Sequence, residues 1–298
     1  IIIVQNHAWN GEGEDGVESE RWIKFPFKRQ PMDANLLETW AAANEGDRLH
    51  YPTPNPYIAS DFRLRATSGS HKEALFAPTI VHECKVMRVW HRLDDRFNQP
   101  RTCVYFNVSL PHIPEGAFGM MLTQLFVAMV EDCVNESVYY PAHLAGMEVD
   151  VGASASYSGF VFSVEGLSDK LGEVALSYFK TMTSLKIDAG RFEKRKEERL
   201  RDVRNLCLKP ERHAKRSLEV LLKQRDASQE EKAKALQVMT AEDLQAFADG
   251  IWQHAHVESL MMGNLDSSEA RVLGERIREY LPGGAIPDGA WPETRMAR

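Results

Sequence analysis

Apolar residues along this 298-residue chain recur at two spacings, and the switches between them outline its elements. Over residues 101–110, Thr102, Val104, Phe106, Val108 and Leu110 alternate with Cys103, Tyr105, Asn107 and Ser109. Alternation sends the two sets to opposite faces and predicts a half-buried antiparallel strand. Residues 85–93 read as another strand, and the turn-forming residues 94–100 between the two predict a hairpin. The spacing then changes. Leu122, Leu125, Phe126, Met129, Val130, Cys133 and Val134 recur every three or four positions, predicting a long helix over about 115–140 that lies on the sheet. Pro141 and Gly146 are expected to end or break it.

Two further strands are predicted at 147–157 and 159–165, the second with Phe160, Phe162 and Val164 on one face. Helices follow. Ser168-Asp169 is expected to cap one that carries Leu171, Val174, Leu176, Phe179 and Met182, and Asp188 to begin a charged one reaching 208. Two more are read at 211–223 and 228–239, and Thr240-Ala241-Glu242-Asp243 is a capping box opening another. A last strand at 254–262 and a helix from Asp266 to Leu281 complete the pattern. From residue 85 the order is β-β-α-β-β-α-α-α-α-α-β-α. That order predicts an α+β fold, an antiparallel or mixed sheet covered on one face by helices.

Upstream the signal is weaker. Residues 1–4 and 21–27 read as short strands and 10–20 as a glycine- and acid-rich loop. Residues 31–44 read as a helix capped by Asp33, with Leu36, Leu37 and Trp40 at helical spacing. Next comes Tyr51-Pro52-Thr53-Pro54-Asn55-Pro56-Tyr57-Ile58-Ala59-Ser60-Asp61-Phe62, with three prolines within five residues. Each proline fixes its φ at about −65°, biases the preceding residue away from helix and removes a backbone donor, so the stretch is extended and is no central strand. A flexible linker would be rich in Gly and Ser. Tyr51, Pro54, Tyr57, Ile58 and Phe62 instead make it a stiff strap with groups that dock, followed by a polar connector over 65–76.

Composition changes the picture little. The chain is 43% hydrophobic and 27% charged, an ordinary globular balance, and its net charge of −7 argues against a general nucleic-acid or membrane binder. No apolar run is expected to approach the roughly 18–20 residues that span a bilayer. Four scattered cysteines without a CxxC favour a reducing, intracellular compartment over a disulfide scaffold. The opening Ile1-Ile2-Ile3-Val4 has no initiator Met, and residues 282–289 resemble an interdomain linker, so we read the chain as a piece of a longer one.

Candidate chemistry is sparse. A helical zinc site of the HExxH or HxxEH kind needs two histidines four apart, and none of the ten histidines has such a partner. His254 and His256 share a face of one strand but lack further ligands at suitable spacing. His82 and Cys84 share a face, with Glu83 on the other, yet nothing adjacent supplies an oxyanion hole. Asp94-Asp95 at a turn reads as a pair that accepts backbone donors. Residues 191–201 interleave Glu with Lys and Arg, which reads as an ion-paired, solvated helix face; a nucleic-acid module using Arg191 to Arg216 is the competing reading.

Several stretches, in order, resemble one family. Residues 49–62 resemble the "LPxxNxFIPxxF" linker of the M16 metallopeptidases, the insulin-degrading enzyme and pitrilysin group. Residues 89–100 resemble that family's "lWxxxDxxFxxPk" hairpin, and residues 132–147 its "DxlnExxYxAxlAGl". Ser158-Gly159 through Gly166-Leu167-Ser168-Asp169-Lys170 is similar to "GmxlxxxGyxDK", and Gly263-Asn264-Leu265 to the "hGN" step before the last helix. The resemblance implies a chain of four homologous α+β domains in two halves that close around a peptide. It places the end of the second domain at residues 1–30, an extended linker at 31–66, the third, non-catalytic domain at 67–285 and a C-terminal linker at 286–298. It implies zinc in the parent enzyme but none in this segment, because the helix that corresponds to the zinc-binding one holds no histidine. No catalytic or metal-ligating residue is carried over. The implied partners are other domains of the same chain and peptide substrates, with no nucleic acid and no membrane. The alternative is a non-catalytic scaffold or processing-complex subunit of the same superfamily.

Overall fold

The computed structural model describes residues 15–24, 26–29, 31, 33–42, 53–66, 77–154, 158–223 and 226–292. The strand expected at 1–4 lies outside them. The chain divides into two units, residues 1–54 and 55–298.

In the smaller unit, β1 (Val17–Ser19) pairs antiparallel with β2 (Pro26–Lys28). Residues 17–19, expected in a loop, are therefore a strand, because β2 supplies a ladder partner that no local propensity announces. Arg21 to Ile23, expected as strand, form the turn instead, where the Glu20 carboxylate accepts from the Trp22 and Ile23 backbone N–H groups at 2.7 and 2.6 Å. Helix α1 (Ala34–Ala41) starts at the Asp33 cap, which accepts from the Asn35 N–H. Its Leu36, Leu37 and Trp40 are exposed.

The larger unit is built on a six-stranded sheet of order β3-β4-β8-β5-β7-β6. Its strands are β3 (Thr79–Cys84), β4 (Met87–Leu93), β5 (Arg101–Ser109), β6 (Glu148–Ala153), β7 (Gly159–Leu167) and β8 (His256–Gly263). Only the β4–β8 pair is parallel. The hairpin expected between residues 85–93 and 101–110 is not formed. β8 lies between β4 and β5, and β4 takes β3, which the pattern left out, as its antiparallel neighbour. The connection over 94–100 straddles the end of β8, a step of two strand spacings or about 10 Å. The Asp94 N–H donates to the Gly263 carbonyl at 2.8 Å and the Asn264 N–H to the Arg101 carbonyl at 2.8 Å. Gly263, at φ +124°, sits so close to β5 that a Cβ there would lie 2.3 Å from the Arg101 carbonyl oxygen.

The helices are α2 (Gly116–Val134), α3 (Tyr140–Leu144), α4 (Ser168–Thr183), α5 (Ala189–Leu206), α6 (Pro210–Leu222), α7 (Gln229–Val238), α8 (Ala241–Gly250) and α9 (Ser267–Glu279); α2, α4 and α9 lie against one face of the sheet, and α5, α7 and α8 pack on α2. Period-two positions of β5 and β7 supply Phe106, Phe160 and Phe162 to the core, where Phe106 meets the α4 residue Phe179 edge-on at 5.0 Å. By length and composition the helical run Gly116–Leu144 is long and apolar enough to cross a membrane, contrary to the expectation that no segment is. Its buried residues are concentrated in α2, between Gly119 and Val134, where the sheet and neighbouring helices cover more than one side of the helix and its apolar residues extend beyond one stripe. Pro141 does not end it either. A wide π turn, Asn135–Tyr139, carries the chain into α3, where Pro141 falls in the first turn and needs no N–H partner. The stop comes at Gly146, at φ +77°.

Candidate functional site

Two features of the larger unit stand out: the strap across its surface and the uncovered face of its sheet. Tyr51 lies outside the described residues, and Pro54 is exposed. Tyr57 is buried, whereas Ile58 and Phe62 are 63% and 53% exposed. Polar groups make most of the strap's contacts. Asn55 turns the chain by accepting from the Tyr57 N–H at 2.9 Å, and its amide donates to the Pro141 carbonyl at 2.7 Å. Asp169 was expected to help cap α4; the cap position is Leu167, which makes no side-chain cap bond. The Asp169 carboxylate instead accepts from the Ser60 and Asp61 N–H groups at 2.8 and 3.2 Å. Those bonds to strap backbone hold its pKa below the ordinary carboxylate value. The buried Asn264 accepts from the Arg65 N–H at 2.6 Å and donates to the Arg63 carbonyl at 2.9 Å, in the manner of a strand partner. Arg65 reaches on to Glu269 of α9 at 2.8 Å.

These contacts link residues far apart in sequence. Replacing Asp169 by Ala is expected to release residues 58–61 at a local cost of about 1.5–3 kcal/mol, the range for hydrogen bonds to charged groups. Limited proteolysis would then cut the strap faster than in the parent protein, and an unchanged rate would mean that Asn55 and Asn264 hold it alone.

The residues weighed for chemistry do not converge. The His254 ring bonds through Nδ1 with the Ala285 carbonyl at 2.8 Å, and the His256 ring meets Trp291 edge-on at 5.0 Å. Both histidines therefore face the C-terminal segment. His82 and Cys84 pair with Val89 and Met87 on the helix-covered face, while Glu83 turns to the open face and binds Arg88 at 2.6 Å. Burial, helped by the Glu165 carboxylate, pushes the Cys103 thiol up, away from the thiolate form a nucleophile needs. Asp94 accepts from the Arg96 and Phe97 N–H groups at 3.0 and 3.4 Å, a turn role. In α5, Lys196 pairs with Glu193 at 3.1 Å, Arg195 with Glu198 at 2.8 Å and Arg201 with Glu197 at 3.8 Å, while Arg195 and Arg199 also reach α2 through Asp132 and Gln124 at 2.8 Å each. Among the described residues no group of three or more His, Cys, Asp or Glu could hold a metal ion.

Burial of the His256 ring lowers its pKa below the ordinary 6.5, outweighing the Lys85 carbonyl that favours the proton. Protonation thus favours the unfolded chain. Stability is full above about pH 6.5 and is expected to fall as pH drops through the lower folded value. Melting curves at neutral and mildly acid pH should differ less for His256→Gln than for the parent protein.

The open face of the sheet holds a shallow hollow of about 660 Å³. Across it the register aligns Ile80, Trp90, Leu260, Tyr105, Ser163 and Asp150 in one row, one residue from each strand. The alternation along β5 announced that Tyr105 would face away from the core; nothing in the sequence announced which residues would stand beside it.

With this geometry in view, comparisons with known proteins give the class. Residues 1–235 match the family model for the middle or third domain of peptidase M16. The chain belongs to the peptidase M16 family. It is 25% identical over 264 residues to the insulin-degrading enzyme of Homo sapiens, covering 88% of this chain and 25% of that protein. It is 24% identical over 265 residues to the A-factor-processing enzyme of Saccharomyces cerevisiae, covering 89% and 25%. The chain thus spans about a quarter of the length of these curated relatives. The crystal structure of pitrilysin superposes with a TM-score of 0.77 at 17% identity, over 92% of this chain and 28% of that one. A peptidase M16 inactive domain from Pseudomonas fluorescens superposes with a TM-score of 0.55 at 17% identity, over 71% and 52%. The fold is the M16 α+β fold: the order of elements predicted the α+β class, and the motif resemblance implied M16.

Proposed function

We propose that this chain is the central, non-catalytic part of a zinc-dependent metalloendopeptidase that degrades peptides in a closed chamber, where it forms a wall and part of the hinge. In this reading residues 1–30 end the preceding domain, 31–66 link the two halves, 67–285 form the wall and 286–298 lead onward. The parent is an intracellular peptidase, and the chain's partners are its other domains and its peptide substrates, not nucleic acid or membrane.

The observation that carries the reading is the strap. An extended, proline-stiffened segment is bonded through its backbone to Asp169 and Asn264. A linker bonded in this way holds a set course along the larger unit, whereas a loose tether would not. Tyr57 and its polar neighbours dock the strap, and Pro54, Ile58 and Phe62 remain exposed. The residues present do not fit zinc. Inward positions of α2 hold Leu122, Leu125, Phe126 and Met129, where zinc needs imidazole, thiolate or carboxylate. We therefore assign the hydrolytic chemistry to another part of the parent chain.

The test is the intact mass of the native protein that carries this segment, followed by its zinc content and its chelator-sensitive peptide cleavage. A chain about three to four times this length is expected, since large chains divide into separate cores. A native chain no longer than these 298 residues would overturn the reading. A long chain without zinc or cleavage would favour the scaffold alternative, for which the likeness to a solved inactive M16 domain speaks.

A further inference from the structure

A sheet face that meets only water is expected to alternate polar side chains, yet the middle row of this one is apolar and aromatic. Trp90 pairs in register with Leu260, and Leu260 with Tyr105, which is 47% exposed. The Trp90 indole donates its Nε1–H to Glu258 at 2.8 Å. The row ends beyond Ser163 at the exposed Asp150. Two carboxylates, Glu258 and Asp150, line the hollow, and none of its described lining residues is Lys or Arg. The adjacent Arg88 is already engaged by Glu83 at 2.6 Å and lies 3.7 Å from Glu258. In the next row along the strands, Glu148 and Glu165 stand directly opposite each other on β6 and β7, beside Asp150 and Ser163, and add negative charge at that end; Arg92 stands at the far end of the same row, on β4.

An aromatic platform that leads to an exposed carboxylate, Asp150, at one end is complementary to a side-chain pair of matching chemistry: an apolar or aromatic group with a cation beside it. We infer that this row, from Trp90 to Asp150, binds an extended peptide segment that places an aromatic or apolar side chain on Trp90, Leu260 and Tyr105 and a Lys or Arg against Asp150. The dimensions agree. Tyr105 and Asp150 are two strand spacings apart, about 10 Å, and an extended peptide rises about 3.4 Å per residue. A Lys two positions from the aromatic residue reaches Asp150 with its stem extended. The inference rests on the chamber-wall reading only in that the chamber supplies the peptide, and it adds a class to that peptide: cationic and apolar rather than acidic.

The probe is a fluorescein-labelled Gly-Lys-Ala-Phe-Ala-Lys-Gly, compared by anisotropy with its counterpart carrying Glu for both Lys, on the full chain. The cationic peptide is expected to bind and the acidic one not. Tyr105→Ser should weaken binding by about tenfold through loss of ring contact, while Tyr105→Phe retains it. Asp150→Lys should weaken the cationic peptide by a similar factor and admit the acidic one, a reversal that a merely structural role for Asp150 would not produce. Equal binding of both peptides, no binding at all, or affinities unmoved by both variants would overturn the inference. So would a concentration-dependent dimer abolished by Tyr105→Ser, which would put a second copy of the chain on this face. None of these results bears on the chamber-wall reading, which stands or falls on chelator-sensitive cleavage by the parent protein.

Discussion

Phe126→Asp is expected to unfold the larger unit. Phe126 is enclosed in the middle of α2, with ring centroids of Phe160 and Phe247 at 5.8 and 6.1 Å. Losing a buried Phe side chain costs about 3–5 kcal/mol even when Ala replaces it. A carboxylate adds the penalty of burying a polar or charged group without a partner, several kcal/mol more. The sum approaches the whole stability of an ordinary domain, about 5–15 kcal/mol. Near-ultraviolet circular dichroism should lose its aromatic signal and the thermal transition should disappear. An unchanged melting temperature would mean that α2 buries a different face.

Asp226→Ala is the second large effect, and it arises where no apolar pattern points. The Asp226 side chain is fully enclosed between α6 and α7 and pairs with Arg216. It also accepts from the Lys232 ammonium at 3.0 Å and the Ala227 N–H at 2.8 Å. Arg216 reaches Glu219 as well, at 2.6 Å. Lys232 is itself buried, and burial pulls its pKa down even though Asp226 favours its charge. Removing Asp226 strips an enclosed ammonium of that carboxylate, and breaking a buried pair in this way costs about 3–5 kcal/mol. Urea unfolding should show the midpoint falling accordingly. The double replacement Asp226→Leu with Lys232→Met should recover most of the loss, because it removes the two most enclosed charges together and Arg216 keeps Glu219. If Asp226→Ala costs less than about 1 kcal/mol, water reaches the cluster and the pair behaves as a surface one.

The faces that β5, β7, α2 and α4 bury were legible from the chain. The alternation over 101–110 placed Val104, Phe106 and Val108 inward, and the repeat from Leu122 to Val134 marked the helix that covers them. Caps at Asp33, Asp188, Thr240 and Asp266 were legible because capping depends on bonds within a few residues. The candidate sites were legible only in fragments. The prolines made the strap extended, but the partners of its backbone, Asp169 and Asn264, lie about a hundred and two hundred residues further on. Asp169 was misread as part of a cap because a local role suits it equally well on spacing alone. The Trp90–Leu260–Tyr105 row was not legible, since its members come from three strands whose neighbours are not their neighbours in sequence.

By itself, then, the sequence determined most elements of the larger unit, the side that β5, β7, α2 and α4 turn to the core, and the family resemblance. Side-chain period and capping are local properties, set by backbone geometry over a few residues. Tertiary structure alone decided that β8 enters between β4 and β5, that an Asp at the start of α4 holds the strap, and that an aromatic row crosses the open face. Each of these depends on which strand or helix becomes a neighbour, and period-two alternation is silent on that: it says which face is buried and not what stands alongside.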